Sequence, residues 1–219
     1  MSEPDWSLWH RAYERPGGAL GRRLAIVQRL IRGVLAERPD GDVRIVSMCA
    51  GQGRDLLPVL AEHPRGRRAA GRLVELDPAN AAAARRLARE AGLDRIEVVA
   101  GDAALTDAYA GAAPADLVLA CGIFGNVPDD DVRRTVAALP QLCARGATVI
   151  WTRHRLPPDL TPAVRGWLAA AGFVELAFES TDADPPGPWA FPVQAVGAHR
   201  WPRAPVPLEP GRRLFTFRT

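Results

Sequence analysis

The stretch from Val43 to Leu57, VRIVSMCAGQGRDLL, constrains this chain more than any other. A short apolar run (Val43, Ile45, Val46, Met48) ends in a small-residue turn, Cys49-Ala50-Gly51-Gln52-Gly53, and a helix-like segment opens at Arg54-Asp55. A buried strand that stops in a glycine turn ahead of a helix leaves backbone N–H groups exposed at its tip. Two absent side chains then let a ligand approach that backbone. This is the form of the first, nucleotide-cradling turn of a doubly wound α/β fold. A GxG turn can also be only a tight turn, so its meaning depends on the elements around it.

Those elements alternate. Leu20, Leu24, Val27, Leu30, Ile31, Val34 and Leu35 are spaced as on one face of a helix, which predicts an amphipathic helix over 20–38, closed by Pro39 and Gly41. Short β-like runs come next at 43–48, 72–76, 96–99, 116–120 and 148–151. Helical candidates separate them at 54–62, 78–91, 104–109 and 130–142, with a further one at 162–171 ended by Gly172. The β-like runs are almost continuously apolar, as strands are when helices cover both faces. The pattern predicts a doubly wound, mostly parallel seven-stranded sheet with right-handed crossovers. Runs at 173–178 and 192–199, joined by the Pro- and Gly-rich loop 182–191, predict an antiparallel C-terminal edge. A short β-like run at 214–217 has no evident place. One domain is expected, with an N-terminal helical lid or cap over 1–40, a core over 41–200 and a C-terminal extension over 201–219.

Composition excludes several chemistries. All 28 basic residues are arginine, so lysine Schiff bases, pyridoxal phosphate anchoring and Walker-type phosphate loops are out of reach. The net charge is only +3, with the arginines scattered among 25 acids; clusters such as 65–68 read as a solvated face, and no nucleic-acid partner is expected. Cys49, Cys121 and Cys143 are odd in number and lack CxxC spacing, so they read as free thiols in a reducing cytoplasm. The N-terminal residues are polar and aromatic, without an apolar signal core, and no run reaches membrane-spanning length. A cytoplasmic protein without membrane association is expected.

Ligands in such sheets bind beyond the carboxyl ends of the strands. The first strand ends in Cys49–Gly53. The second ends in Glu75-Leu76-Asp77-Pro78, with Glu75 22 positions after Gly53, where an acid can accept hydrogen bonds from ribose hydroxyls. The third ends in Gly101-Asp102-Ala103 and the fourth in Cys121-Gly122-Ile123-Phe124-Gly125-Asn126.

With these residues in register, the chain resembles the class I, Rossmann-like, S-adenosylmethionine-dependent methyltransferases from about Leu20 to His199. The resemblance implies S-adenosylmethionine as cofactor. It implies Glu75 on the ribose diol, Asp102 on the adenine exocyclic amine, and Leu76 and the Ala103 amide flanking the adenine. Cys49, Ala50, Gly51 and Gly53 would face the methionyl part, with Cys121 and Gly122 at the end of the fourth strand. The family often carries an acid where this chain has Ser47, and a glycine where it has Cys49. How the amino-acid end is held is therefore open, with Arg54 a candidate for the cofactor carboxylate.

Each of these residues also has a plainer reading. Glu75 can be a strand-end acid, and Asp102 can cap the segment after it. Asp77 before Pro78 reads as a helix cap, Asp55 as a first-turn acid. The acidic run Asp129–Asp131 precedes a helical segment, so capping and dipole matching explain it better than a metal, and no metal is expected. Methyl transfer from an activated sulfonium requires mainly alignment and exclusion of water. His154 and His10 are the candidate general bases where the acceptor must lose a proton; His63 and His199 read as structural. Trp6, Trp9 and Tyr13 read as a lid over the site or a packing cap, with Trp189 and Phe191 closing from the other side. Phe124, Asn126, Trp151 and Arg153 complete the expected pocket for a small-molecule acceptor.

Three alternatives stand against this reading. A nicotinamide dehydrogenase would need a third small residue where Leu56 stands, and a tyrosine–lysine pair is impossible here. A non-catalytic S-adenosylmethionine-binding protein has the same cofactor residues. Aminopropyl transfer would want an acid near the end of the fourth strand, which offers only Cys121 and Asn126.

Overall fold

The computed structural model describes residues 17–37, 41–187 and 190–218. The first helix, α1 (Ala19–Glu37), buries Leu20, Val27, Ile31, Val34 and Leu35, the stripe that its spacing predicts. Five strands then alternate with helices: β1 (Val43–Met48), α2 (Leu57–Glu62), β2 (Ala69–Glu75), α3 (Pro78–Glu90), β3 (Ile96–Ala100), β4 (Ala115–Ala120), α4 (Asp129–Ala138) and β5 (Cys143–His154). They are followed by α5 (Thr161–Ala171), β6 (Val174–Ser180) and β7 (Gln194–Trp201). Two expected helices contract. Residues 51–56 are turns, and 104–109 yields only a 3-10 turn at Thr106–Tyr109.

The seven strands form one sheet in the order β3-β2-β1-β4-β5-β7-β6. Strands β1 to β5 are parallel, and β7 pairs antiparallel with both β5 and β6. The two late strands form the expected antiparallel C-terminal edge. Within it β7 lies inside the sheet, and β6 forms the border. Successive residues of the central strands face opposite layers. On one face Ile45, Leu73, Leu117, Leu119 and Ile150 pack with α1, α2 and α3. On the other Val46, Val74, Val118, Val149 and Trp151 pack with α4, α5 and the buried Leu214 and Phe215.

Close contacts fix the layers. A Cβ on Gly197 would lie 2.4 Å from the Trp151 indole, its partner in the β5–β7 register, so only glycine leaves room for the ring. The run at 214–217 is not a strand. It belongs to a C-terminal segment whose one ladder contact is an antiparallel bridge between Leu105 and Arg213. Among the described residues no helix is long and apolar enough to cross a membrane.

His199, on β7, is 1% exposed; its Nδ1 accepts from Trp151 Nε1 at 3.3 Å, and Glu175 lies 3.5 Å from its Nε2. Burial pushes its pKa down to about 4 from 6.5, the nearby Glu175 carboxylate opposing. The folded value lies below the unfolded one, so neutral His199 contributes in full above pH 6.5 and that contribution is lost as pH falls toward 4. Urea unfolding across that window should show an acid-side loss on the order of 2–3 kcal/mol. His199→Gln should flatten the slope, whereas an identical slope would remove His199 as its source.

Candidate functional site

The site is built where β1, β2, β3 and β4 end side by side. Beyond β1 the chain reverses through Cys49, Gly51 and Gly53 with φ of +49°, +55° and +73°. Cys49 is the one described non-glycine residue with positive φ, a conformation that costs a Cβ-bearing residue on the order of 1 kcal/mol. Ala50 donates its N–H to Val74 at 2.9 Å, tying the turn to β2. A Cβ on Gly53 would fall 2.5 Å from the Leu57 side chain, so this glycine lets α2 seat directly on the turn.

Glu75 ends β2 with its carboxylate turned inward. Oε2 accepts from the Gly51 N–H at 2.7 Å and Oε1 from the Asp77 N–H at 2.9 Å. One side chain thus ties together the turns after β1 and β2. Each oxygen keeps acceptor capacity, because a carboxylate offers about four lone-pair positions. The next residue, Leu76, is 67% exposed, an apolar side chain left in water at the sheet's carboxyl edge. Asp77 caps α3 by accepting from Ala79 N–H at 2.7 Å, as its place before Pro78 implies.

Asp102 follows β3. Its Oδ1 accepts from Ala104 N–H at 2.9 Å and its Oδ2 pairs with Arg213 at 2.9 Å. The plainer capping role is real, and it is joined by an ion pair that no local pattern foretells. Burial raises the pKa of the half-buried Cys49 thiol, and the negative charges of Glu75 and Asp102 push it further in the same direction. Glu75 reaches the glycine turn through Gly51, and its carbonyl accepts from Gly101 N–H at 2.9 Å, which sets Asp102 at the neighbouring strand end. Ala103, the next residue, is buried, its carbonyl accepting from Tyr109 Oη at 2.5 Å.

The fourth and fifth strand ends are knitted to each other. Gly122, at φ +75°, donates its N–H to Thr152 Oγ1 at 2.9 Å, and its carbonyl accepts from Asn126 Nδ2 at 2.7 Å. Arg153 is buried, donates to the Phe124 carbonyl and lies 3.7 Å from Asp129. His154 accepts from Leu156 N–H at Nδ1 (3.3 Å), which leaves the proton on Nε2, 3.3 Å from the Gly125 carbonyl. Burial first, and then the Arg153 charge, lower its pKa, so the ring is neutral near pH 7. Both nitrogens are engaged, and neither offers an idle lone pair to a substrate.

Two expected pocket residues lie elsewhere. Trp151 and Phe124 are both fully buried, with ring centroids 6.0 Å apart, and belong to the core beneath α4 and α5. Trp151 is a strand residue whose side chain faces the helix layer, and position along the chain does not reveal that face. His10, Trp6, Trp9, Tyr13 and Trp189 fall outside the described residues. The acidic run serves structure: Asp131 accepts from Thr216 N–H and Arg134, while Asp129 faces Arg153 and Arg218. Among the described residues no three His, Cys, Asp or Glu side chains are grouped to hold a metal ion.

Sequence reasoning also missed Arg23. This α1 arginine is 3% exposed and acts electrostatically on Asp55, whose carboxyl pKa is raised by burial and lowered by Arg23 and by a hydrogen bond with Cys121. The same helix sends Gln28 Nε2 to the Arg54 carbonyl at 2.9 Å, while Arg54 Nε donates to Gln52 Oε1 at 3.1 Å. A charged residue on the buried stripe of an amphipathic helix was the available signal.

Comparison with known proteins places this architecture. The model of a family described as "Putative methyltransferase" matches residues 18–169. A magnesium protoporphyrin IX methyltransferase from Synechocystis, solved with SAH bound, superposes with a TM-score of 0.67 at 13% identity, covering 89% of this chain and 93% of its own. A precorrin-6y C5,15-methyltransferase from Geobacter metallireducens gives 0.55 at 14% identity over 78% and 87%. The [4+2]-cyclase SpnF gives 0.56 at 19% identity over 80% and 81%. At such identities the likeness concerns the fold alone. No curated protein matches the chain.

The Glu75 latch yields a stability prediction. Glu75→Ala orphans the Gly51 and Asp77 N–H groups and should lower the unfolding free energy by about 1–3 kcal/mol. Urea denaturation measures it, and an unchanged midpoint would mean that the turns hold without the carboxylate.

Proposed function

The chain belongs to this methyltransferase family, and on that premise we propose that it moves the methyl group of S-adenosylmethionine in line to a small-molecule acceptor. The observation that carries the reading is the grouping of Glu75, exposed Leu76 and Asp102 at adjoining strand ends beside the glycine turn, with Glu75 bonded to Gly51 and its carbonyl to Gly101. Two acceptor carboxylates flank an apolar surface, which is the complement of a nucleoside with a diol at one end and an amine at the other. That donor and acceptor set fits the cofactor.

In this reading the spare acceptor positions of Glu75 take the ribose hydroxyls, and those of Asp102 take the exocyclic amine. Leu76 and Ala103 lie along the adenine. The backbone of Cys49, Ala50, Gly51 and Gly53 faces the methionyl part, with Cys121 and Gly122 at its side. Ser47 stands where the family often has an acid. Arg23 with Asp55, and Arg54 with Gln52, are the polar pairs in and beside the turn, and we assign the zwitterionic amino-acid end to them.

The cofactor supplies an already activated methyl group, so this chain's residues need to align the acceptor and keep water out. The knitted ends of β4 and β5, with Asn126 and Arg153, form the acceptor side. Trp6, Trp9 and Tyr13 are assigned as its lid. His154 keeps both nitrogens bonded, so it supports the β4 turn, and His10 remains the candidate base. No metal enters the scheme, since the sulfonium already provides the activation. Free thiols at Cys49, Cys121 and Cys143 accord with the reducing cytoplasm that we infer.

Isothermal titration with S-adenosylmethionine, S-adenosylhomocysteine and NADH tests the reading. Micromolar binding of both sulfur nucleotides is expected, weakened about tenfold or more in Asp102→Ala and Glu75→Ala, with no NADH binding. Binding of NADH, or of none of the three, would overturn it. Turnover on a panel of phenols, amines and acids separates an enzyme from a protein that only binds the cofactor.

A further inference from the structure

The C-terminal segment, Glu209 to Arg218, lies beyond the residues that the family model matches. It is not a loose tail. It crosses the turn after β3 and then the turn after β4, and is bonded along its length. Thr106 Oγ1 donates to the Glu209 carbonyl at 2.6 Å, Gly211 N–H reaches Asp107 at 2.7 Å, and Thr106 N–H reaches the Arg212 carbonyl at 3.0 Å. Leu214 N–H donates to the Ala104 carbonyl at 2.8 Å, and Leu214 and Phe215 are each 1% exposed. Farther on, Thr216 N–H meets Asp131 at 2.7 Å and Arg218 N–H the Asn126 carbonyl at 2.9 Å.

This strap delivers one charged side chain to the carboxylate assigned to the adenine. Arg213 Nη2 lies 2.9 Å from Asp102 Oδ2, while Oδ1 is taken by Ala104 N–H. Backbone pairing of Arg213 with Leu105 fixes the arginine's origin three residues from Asp102 along the facing segment. A carboxylate whose two oxygens each have a fixed donor has a fixed plane, and its remaining lone pairs point in fixed directions.

We propose that Arg213 is a positioning residue of the cofactor site: the C-terminal strap holds the Asp102 carboxylate in the orientation that accepts the 6-amino group of the purine. The inference rests on the assignment of Asp102 to the adenine. Its consequence is selectivity. Removing Arg213 should harm binding of a 6-amino purine nucleoside and spare that of a 6-oxo one, because only the former carries a donor at position 6 for Asp102. About half of the Arg213 side chain is exposed, so the effect is modest.

The full-length protein is titrated with S-adenosylhomocysteine and with its deaminated counterpart, S-inosylhomocysteine. Arg213→Ala should weaken the adenosyl ligand about fivefold and the inosyl ligand less than about twofold. Arg213→Lys should recover part of the loss. In an Asp102→Asn background, Arg213→Ala should cost nothing further. Equal losses for both ligands would show that Arg213 only anchors the strap, and unchanged affinity for both would show that it does nothing for the site; either overturns the proposal. Failure of the wild type to bind S-adenosylhomocysteine, or full affinity in Asp102→Ala alone, would overturn the reading of the site itself.

Discussion

The carboxylate of Glu75 carries more of this structure than its size suggests. Parallel strands end at one edge of a sheet with backbone N–H groups that have no further ladder partner, and those groups must be satisfied or left to water. Glu75 takes one from the turn after β1 and one from the turn after β2, so two independent loops acquire a common reference point. Its backbone carbonyl accepts from Gly101 N–H at 2.9 Å, which draws in the turn after β3. Three strand ends are registered through one residue, and the groups beside the glycine turn inherit their spacing from it.

The carboxyl edge is stiffened at its other end by a different device. There the polar groups of β4 and β5 bond with one another: Thr152 with Gly122, Asn126 with Gly122, Arg153 with the Phe124 carbonyl. The C-terminal strap joins the two regions, from Thr106 to Asn126. One side of the edge thus presents acceptors beside an exposed leucine, and the other presents closed backbone turns. That asymmetry is what a bound nucleoside and a separate acceptor would require, and methyl transfer needs little more than their alignment.

Buried charge explains where the sequence reading was least complete. Arg23 sits on the apolar stripe of α1, against Asp55 in the turn after β1, and burying such a group is costly unless a counter-charge is present. Helical spacing marks the residue as inward, yet its partner lies across the first crossover and is invisible in any local window. Arg213 and Asp102 repeat the lesson, separated by more than a hundred residues and joined at 2.9 Å.

What the sequence determined by itself is everything that depends on local periodicity and turn chemistry: the amphipathic α1, the five apolar parallel strands, the glycine turn at Gly51 and Gly53, the cap at Asp77, and the strand-end acids Glu75 and Asp102. These arise from near-neighbour sterics, so a window of a dozen residues contains the cause. Tertiary structure alone decided that β7 enters between β5 and β6, that Trp151 and Phe124 turn into the core, that both nitrogens of His154 are engaged, and that residues 209–218 fold back across the edge. Each of those outcomes is a choice among distant partners or between two faces of a strand. Such choices are settled by packing the whole layer at once, because a pleated strand offers two equivalent faces until its neighbours occupy one of them.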